Sequence, residues 1–309
     1  TGRAYLAGPY RGAPLSLALV VPALAGPFDL GNVVDRVALR VNPETAQVEA
    51  VSDPIPTMLS GIPLNLRRIQ VSLDREGFTV NPTSCDPMAV EATVGGANGG
   101  SDAVSSRFQA GSCASLDLSP RLSLRLSGST RRAGFPKLRA VLRAKPGQAN
   151  LRRVSVALPR SEFLAQSHIR TVCTRVQFAA GACPAGSVYG YAKAYSPLLE
   201  KPLEGPVYLR SSDNPLPDLV AALHGQIEID LAGRIDSVHG GIRDTFEALP
   251  DAPITRFELS MKGGRSGLLE NSRDLCLAGA GRATVEIDGQ NGKTANQRPA
   301  LRAGCGNNG

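Results

Sequence analysis

The sequence predicts an all-β protein built from tandem immunoglobulin-like antiparallel β-sandwiches with little helix. The chain is rich in turn-forming residues, with 33 Gly and 23 Pro among 309 residues. These residues punctuate the chain at short intervals, which disfavours long helices. The segments between them alternate apolar and polar residues with period two, a pattern typical of strands with one buried face. Segments near the two ends also resemble each other, as two copies of one module would.

Residues 1–118 are predicted to form the first β-sandwich module. An apolar run at 15–25 imitates a secretion signal, but Pro22 interrupts it and a similar run lies in mid-chain, so we interpret it as a core strand. The segment "RVALRVNPETAQVEAVSDPIP" predicts a hairpin that turns at Asn42-Pro43. The module starts abruptly at "TGRAYL", which predicts that this copy is incomplete at its N-terminus.

Residues 119–203 are predicted to form a second, basic β-sandwich domain. In "RLSLRLS" the residues Leu122, Leu124 and Leu126 share one face, while arginine and serine occupy the other. One short helix is expected at 174–181, capped by Thr174 and ended by Gly181.

Residues 204–309 are predicted to repeat the first module. "GPVYLRSSDNPLPDLVAALHG" is similar to "GRAYLAGPYRGAPLSLALVVPALAG". "RIDSVHGGIRDTFEALPDAP" is similar to the first hairpin, with Gly240-Gly241 at the turn. The closing segment of each module ends on a cysteine, which strengthens the comparison.

A second pair of similar segments is "LNLRRIQVSL" at 64–73 and "ANLRRVSVAL" at 149–158. We interpret both as core strands of a sandwich with a basic entry. The alternative is functional: Arg67/Arg68 and Arg152/Arg153 would be paired clamps for an anion.

Six cysteines form three sequential couples with separations of 28, 10 and 29 residues. No C-x-x-C occurs, so zinc ribbons and thioredoxin-like redox sites lack their signature. The even count predicts three disulfides and an oxidising compartment, the alternative being buried free thiols in a cytosolic protein. The predicted disulfides are Cys85–Cys113, Cys173–Cys183 and Cys276–Cys305.

The basic charge is concentrated in the middle of the chain. Residues 119–160 hold eleven Lys and Arg and no acid, which leaves 23 basic against 27 acidic residues elsewhere. Three interpretations compete: a solvated strand face, a face that docks on acidic parts of a neighbouring subunit, or a binding face for an anionic polymer. The predicted anion-binding or assembly face comprises Arg121, Arg125, Lys137, Arg139, Arg143 and Arg153.

No complete pattern for catalysis, a cofactor or a metal stands out. HExxH and GxSxG are absent, Gly292-Lys293-Thr294 lacks the earlier glycine that completes a P-loop, and the GxGxxG at 304–309 is a weak match based on glycine spacing alone. The three histidines are interpreted as polar loop or strand-end residues. Trp is absent, which disfavours an aromatic sugar-binding platform. Nucleic acid is the least favoured polymer, since bases need aromatic stacking partners and the basic stretch offers only Phe135. We therefore expect a protein without enzymatic activity, metal or cofactor.

The combination "SEFLAQSHIRTVCTRVQFAAGACPAGSVYGYAKA", "PLEGPVYLRSS" and "LPDLVAALHG" resembles large exported proteins of high-GC bacteria that carry repeated immunoglobulin-like modules. The resemblance covers most of the chain. It implies export and β-sandwich architecture, and it carries no catalytic residue over to this sequence.

Together these observations predict a structural subunit of an extracellular filament, surface layer or matrix, with self-association into a polymer and no transmembrane segment. Repeated modules without active-site motifs are typical of a scaffold. The alternative is a cell-surface adhesin or binding module that recognises an anionic polysaccharide or wall polymer through the basic face of the middle domain. Both functions place the chain outside the cell or on its surface.

Overall fold

The computed structural model describes residues 2–64, 68–72, 75–238 and 240–305. Strands predominate, so the predicted all-β class is confirmed. The chain divides into two compact units. The first unit contains Thr1–Asn42, Gln47–Pro82 and Asp86–Gly111, and the second contains Pro43–Ala46, Thr83–Cys85 and Ser112–Gly309.

The first unit consists of small groups of antiparallel strands. A four-stranded sheet has the order β1-β2-β3-β4, and two hairpins, β5-β6 and β7-β8, stand apart from it. The strands are Arg3–Ala7 (β1), Leu15–Ala25 (β2), Phe28–Val41 (β3), Val48–Ser52 (β4), Met58–Leu59 (β5), Ile62–Pro63 (β6), Met88–Gly95 (β7) and Ser101–Phe108 (β8). The apolar run at 15–25 is therefore a strand, and the turn predicted at Asn42-Pro43 connects β3 with β4.

The second unit is dominated by one twelve-stranded sheet with the order β21-β20-β11-β17-β16-β15-β14-β13-β18-β10-β9-β22, beside a small pair β12-β19. The first of its strands are Arg121–Ser127 (β9), Lys137–Arg143 (β10), Leu151–Ala157 (β11), Glu162–Leu164 (β12), Val188–Tyr195 (β13), Leu203–Arg210 (β14) and Asp218–His224 (β15). The others are Glu228–Val238 (β16), Gly241–Phe246 (β17), Arg256–Met261 (β18), Leu269–Asn271 (β19), Thr284–Gly289 (β20), Thr294–Gln297 (β21) and Leu301–Ala303 (β22). Two short helices, Arg175–Ala179 (α1) and Leu275–Ala278 (α2), complete the unit.

The large sheet curls until its two ends meet. Gln297 on the edge strand β21 accepts a hydrogen bond from the backbone N–H of Leu122 at 3.2 Å and donates one to the carbonyl of Pro120 at 2.6 Å. These bonds join one end of the sheet to β9 near the other end. Inner side chains from both ends then share one core, in which Leu124 of β9 packs with Val285 and Ile287 of β20.

The apolar residues of β9 that the sequence pattern assigns to one face lie on the inner face of the sheet. Leu124 and Leu126 of β9 are 2% and 0% exposed, while Arg121 and Arg125 point outward. Inward leucines separated by outward polar residues leave one face apolar, and burial of that face is what holds a curled sheet together.

The division of residues 119–309 differs from the predicted one. The sequence predicts separate sandwiches at 119–203 and 204–309, but β10 pairs with β18, and β11 lies between β17 and β20. Strands from both segments therefore share one sheet. Alternation in a strand predicts which face is buried but not which strand lies beside it, so these partners could not be predicted from it.

The two segments compared as copies both form four-stranded antiparallel meanders. Strands β1 to β4 are neighbours in chain order, and so are β14 to β17. Their burial differs: in the corresponding last strands, Gly241 and Thr245 of β17 are buried whereas β4 is exposed throughout. The repeat itself stays a prediction.

The first of the two similar ten-residue segments is not a strand where it is described. Asn65–Arg67 and Leu73 lie outside the described residues, and 68–72 has no regular structure, with Ile69 62% exposed. The second segment forms β11, with Leu151 and Val154 buried. Strand partners on both sides decide this outcome, since β11 has β17 and β20 as neighbours.

The predicted helix and disulfides are confirmed. Helix α1 begins after Thr174, whose side chain accepts a hydrogen bond from the Gln177 backbone N–H in a capping box, and Gly181 follows its end with φ of 63°. The disulfides Cys85–Cys113, Cys173–Cys183 and Cys276–Cys305 have Cα–Cα distances of 5.6, 5.2 and 5.6 Å. In the described part of the chain, no helix has the length and apolar character that a membrane crossing requires.

Candidate functional site

The outer surface of strands β22, β9, β10 and β18 carries two rows of arginine side chains. In the first row, Arg125 on β9 lies directly opposite Arg302 on β22 and opposite Arg139 on β10. Neighbouring strands lie about 4.8 Å apart, so the three arginine Cα atoms span about 10 Å.

The second row lies four residues further along the strands. Arg143 on β10 is opposite Arg121 on β9 and opposite Arg256 on β18. At about 3.3 Å per residue the two rows are about 13 Å apart. We call the six residues of both rows the arginine face: Arg121, Arg125, Arg139, Arg143, Arg256 and Arg302.

A single carboxylate neutralises part of the arginine face. Glu258 accepts a hydrogen bond from Arg139 at 2.8 Å and forms an ion pair with Arg256. The hydrogen bond from Arg139 and the charges of the nearby arginines lower the pKa of Glu258. Glu258 is therefore ionised at neutral pH and removes one of six positive charges.

The other four arginines have no carboxylate within ion-pair distance among the residues that the structure describes: Arg121, Arg125, Arg143 and Arg302. Like charges directly opposite each other in a sheet destabilise it. The fold therefore tolerates a repulsion here that surrounding side chains relieve only in part, and an anion would relieve it further.

Five of the six arginines line one concave surface of about 720 Å³, whose floor between the rows is Ser123 and Val141. Val141 is only 7% exposed although it lies on the outer side of β10. Long arginine stems cover apolar surface while their guanidinium groups stay in water, which accounts for a buried valine between two charged rows. The surface can receive a negatively charged ligand along its length.

Two members of the predicted basic face lie elsewhere. Arg153 is on β11, separated from β10 by six strands in the sheet order, and forms ion pairs with Glu247, Glu286 and Asp288 at 3.2 to 3.6 Å. The structure does not bring Arg153 to the other predicted residues. The acids beside it come from β20 and from the residue after β17, and strand pairing brings them close. Lys137 is on the outer side of β10 opposite Ser127, one row beyond the arginine face.

The sequence interpretation missed Arg256 and Arg302. Both lie far along the chain from the basic stretch at 119–160, in short segments without a charge excess. For Arg256, the sequence indicates a strand at 256–261, where Phe257, Leu259 and Met261 alternate with polar residues. That pattern predicts a strand but not its pairing with β10.

The histidines fill the roles expected of loop and strand-end residues where they are described. His168 has Nδ1 2.9 Å from the carbonyl oxygen of Gly267 and its ring 4.1 Å from that of Phe135. His224 ends β15 beside Glu228, and His239 lies outside the described residues. Within the described ranges, no group of three His, Cys, Asp or Glu side chains is arranged to hold a metal ion.

Comparison of the chain with protein-family models, with curated proteins and with solved structures finds no match. Function must therefore be inferred from the geometry and charge of the arginine face.

Proposed function

We propose that the chain is a non-enzymatic binding protein that recognises an anionic polysaccharide or wall polymer through the arginine face. The observation that carries the proposal is the pair of opposed arginine rows, in which four of six side chains lack a carboxylate partner in the described part of the chain. Arginine guanidinium groups bind carboxylates and phosphates through paired hydrogen bonds.

The spacing favours a polymer over a small anion. Two arginine rows lie about 13 Å apart, and between them Val141 has Ser123 on one side and the paired acid Glu258 on the other. This spacing suits a chain with anionic groups at repeated intervals. Among the described residues that line this surface none is aromatic, and the ring of Tyr195, the cross-strand neighbour of Arg256, lies under the Arg256 guanidinium at 5.4 Å. Stacking of nucleic-acid bases is therefore disfavoured here. We therefore place carboxylate or phosphate polymers of the cell envelope ahead of nucleic acid.

The test compares fluorescently labelled polygalacturonate and poly(glycerol phosphate) with single-stranded DNA and neutral dextran, by fluorescence anisotropy at several NaCl concentrations. We expect one of the two envelope-type polyanions to bind the wild-type chain more tightly than DNA does, with dextran not binding. In Arg125→Gln/Arg143→Gln/Arg302→Gln, the slope of log affinity against log salt should decrease by about 2–3, because each removed arginine releases about one fewer counterion.

The matched control is Arg3→Gln/Arg107→Gln/Arg132→Gln. It also loses three positive charges, but at exposed arginines outside the arginine face. Equal weakening in both triple variants would mean that net charge, and not the arginine face, governs binding. Preference for DNA over both envelope-type polymers would assign the face to a different ligand.

A second candidate function is the structural subunit of an extracellular filament, surface layer or matrix. The observation that favours it is the exposure of apolar side chains in the first unit. In the hairpin β7-β8, Val90, Val94 and Val104 share one face and are 61%, 58% and 49% exposed. Isolated hairpins are marginally stable, and contiguous exposed apolar patches mark interaction sites.

Sedimentation velocity over a concentration series tests this candidate. Self-association through the hairpin should weaken in Val90→Ser/Val104→Ser and persist in Glu91→Gln/Thr93→Ser, which changes the opposite face of the same strand. A wild-type chain that remains monomeric at high concentration would eliminate this candidate and leave polymer binding unaffected.

Both candidates place the protein outside the cell. Three disulfides are typical of oxidising compartments, which supports secretion. The resemblance of 204–309 to the first module and the similarity to exported proteins of high-GC bacteria belong to the same proposal.

A further inference from the structure

The interior of the second unit contains an apolar cavity that the proposed function does not use. Its volume is about 160 Å³, and side chains of β9, β10, β11, β15, β16, β17 and β18 line it. Leucine, isoleucine and valine predominate, with the aromatic rings of Phe246 and Phe257 in the wall. An apolar cavity of about 150 Å³ in another protein accepts a benzene-sized molecule, so this one has room for a small hydrophobic ligand.

One wall residue is out of keeping with the others. Asp244 on β17 lies directly opposite Val156 of β11 and Ile235 of β16, in a row of inward-facing residues. Of the described residues lining this cavity, all but Asp244 are apolar. A carboxyl group in such surroundings is costly unless it is hydrogen-bonded.

The Asp244 carboxyl has bonding capacity to spare. Its Oδ1 atom is buried and accepts no hydrogen bond from the described residues. Burial, with smaller contributions from the negative charges of Asp218 and Asp236, raises the pKa of Asp244 to about 8. The carboxyl is therefore mostly neutral at pH 7, when it can both donate and accept a hydrogen bond.

The Asp244 carboxyl occupies space that is free because residue 233 on the neighbouring strand β16 is a glycine. Gly233 on β16 lies opposite Phe246, and a Cβ there would press against Asp244 Oδ1 and approach the Phe246 ring at 2.9 Å. Glycine at 233 thus allows an acid and an aromatic ring to sit side by side in the cavity wall.

We infer that the cavity binds a small hydrophobic alcohol, whose hydroxyl group hydrogen-bonds to Asp244 while its apolar part fills the space between the two sheet walls. A hydroxyl matches a neutral carboxyl because each can donate to and accept from the other. The apolar part gains from contact with leucine, valine and phenylalanine side chains. This site faces the inside of the sheet, whereas the arginine face lies on its outside, so neither proposal depends on the other.

The experiment compares benzyl alcohol with ethylbenzene, which replaces the hydroxyl by a methyl group of similar size. Binding to the full chain is measured by isothermal titration calorimetry at pH 6.5, where the Asp244 carboxyl is protonated. Wild type should bind benzyl alcohol about tenfold more tightly than ethylbenzene, because the hydroxyl satisfies a buried acceptor.

Two substitutions of the acid separate its role from that of the cavity. Asp244→Asn keeps the size and the hydrogen-bonding capacity, so the preference for the alcohol should persist. Asp244→Leu removes the polar group, so the preference should disappear or reverse while ethylbenzene still binds. A third variant, Ala140→Leu, fills part of the cavity and should weaken both ligands.

Failure of both ligands to bind wild type would overturn the proposal. Equal affinities for the two ligands would also overturn it, as would an unchanged preference in Asp244→Leu. If Asp244→Leu does not fold, the affinities of wild type, Asp244→Asn and Ala140→Leu for the two ligands still test the proposal. If Ala140→Leu binds both ligands as tightly as wild type does, the ligands bind outside this cavity and the proposal fails.

Discussion

Individual buried carboxyl groups of the second unit have very different surroundings. Asp251 accepts hydrogen bonds at 2.8 to 2.9 Å from the backbone N–H groups of Thr83 and Ser84, the Thr83 hydroxyl and the Asn150 amide. Glu162, fully buried on β12, has both carboxyl oxygens without a hydrogen bond from the described residues. The first group is held as a hydrogen-bond acceptor, whereas the surroundings of the second favour its neutral form.

The strand opposite β12 offers an acceptor to the protonated acid. Asn271 on β19 is the cross-strand partner of Glu162, and its Oδ1 atom also lacks a donor among the described residues. A protonated Glu162 has an O–H group to donate, so one proton could satisfy two buried groups. Desolvation raises the pKa of Glu162 to about 8, and the nearby Ser161 hydroxyl and the charge of Arg273 oppose the shift. In the structure that hydroxyl donates to the carbonyl of Ala280 instead of to Glu162.

This residue predicts a pH-dependent stability. The pKa of Glu162 is about 8 in the folded chain and near its ordinary value of 4.5 when unfolded, so the folded state retains the proton longer. Its stabilising contribution is therefore complete below pH 4.5 and is lost as the pH rises through about 8. Between pH 5 and pH 8, wild type should lose about 3.5 kcal/mol more unfolding free energy than Glu162→Gln, as measured by urea denaturation.

Glu270→Gln provides the control, since Glu270 belongs to the adjacent strand β19 and is only partly buried. Its pH profile should follow that of wild type. Parallel profiles for wild type and Glu162→Gln would contradict the assignment of the pH dependence to this carboxyl. Asp244 contributes in the same direction in all three proteins and therefore cancels in the comparison.

At the scale of elements, β9 shows how one strand serves two opposite environments. Its leucines lie inside the curled sheet, and its arginines take part in both rows of the arginine face. Arg125 has a positive charge on each side, from Arg302 and Arg139. The strand pairing that buries the leucines therefore also brings like charges together.

Removal of the central charge in this row should stabilise the free protein. We expect Arg125→Gln to raise the unfolding free energy by about 0.2–1 kcal/mol at low salt, because it relieves two like-charge contacts. At 1 M NaCl the gain should shrink, because the screening length falls to about 3 Å. Chemical denaturation at both salt concentrations measures the difference.

Arg132→Gln is the matched control, as an exposed arginine in the β9-β10 connection outside the rows. Its effect on stability should be close to zero at either salt concentration. A destabilised or salt-insensitive Arg125→Gln would show that the Arg125 stem contributes more through packing than its charge costs.

At the scale of the whole molecule, the two units differ in how well they bury apolar surface. Strand β15 in the second unit has five consecutive residues buried, Leu219 to Leu223. Hairpin β7-β8 in the first unit has no fully buried residue along either strand. Local opening costs little where few apolar contacts are lost, so stability should vary widely along the chain.

Hydrogen exchange followed by mass spectrometry tests this difference. Amides of β15 should exchange at least about 100-fold more slowly than those of β7-β8, after correction for intrinsic rates. Exchange rates measured at low protein concentration are the reference for those measured at higher concentration. Hairpin amides that become protected only as concentration rises would indicate coverage by a second copy, whereas strong protection in the dilute protein would contradict the expected difference.

Features that depend on short stretches of chain were predictable from the amino-acid sequence. Alternating leucines predicted the inner face of β9, a Thr174 cap and a glycine predicted helix α1, and the spacing of cysteines predicted all three disulfides. Each of these depends on interactions between neighbours or on sequential pairing, so the pattern is complete within the segment.

The choice of neighbouring strands, in contrast, depends on the complete fold. It brought Arg256 and Arg302 to the basic stretch, placed Arg153 among three acids, and set Asp244 in a cavity wall. A strand offers the same backbone hydrogen-bonding groups to any partner. Pairing is therefore fixed by how the whole set of apolar faces can be buried together, a property that belongs to the folded unit and to no single segment.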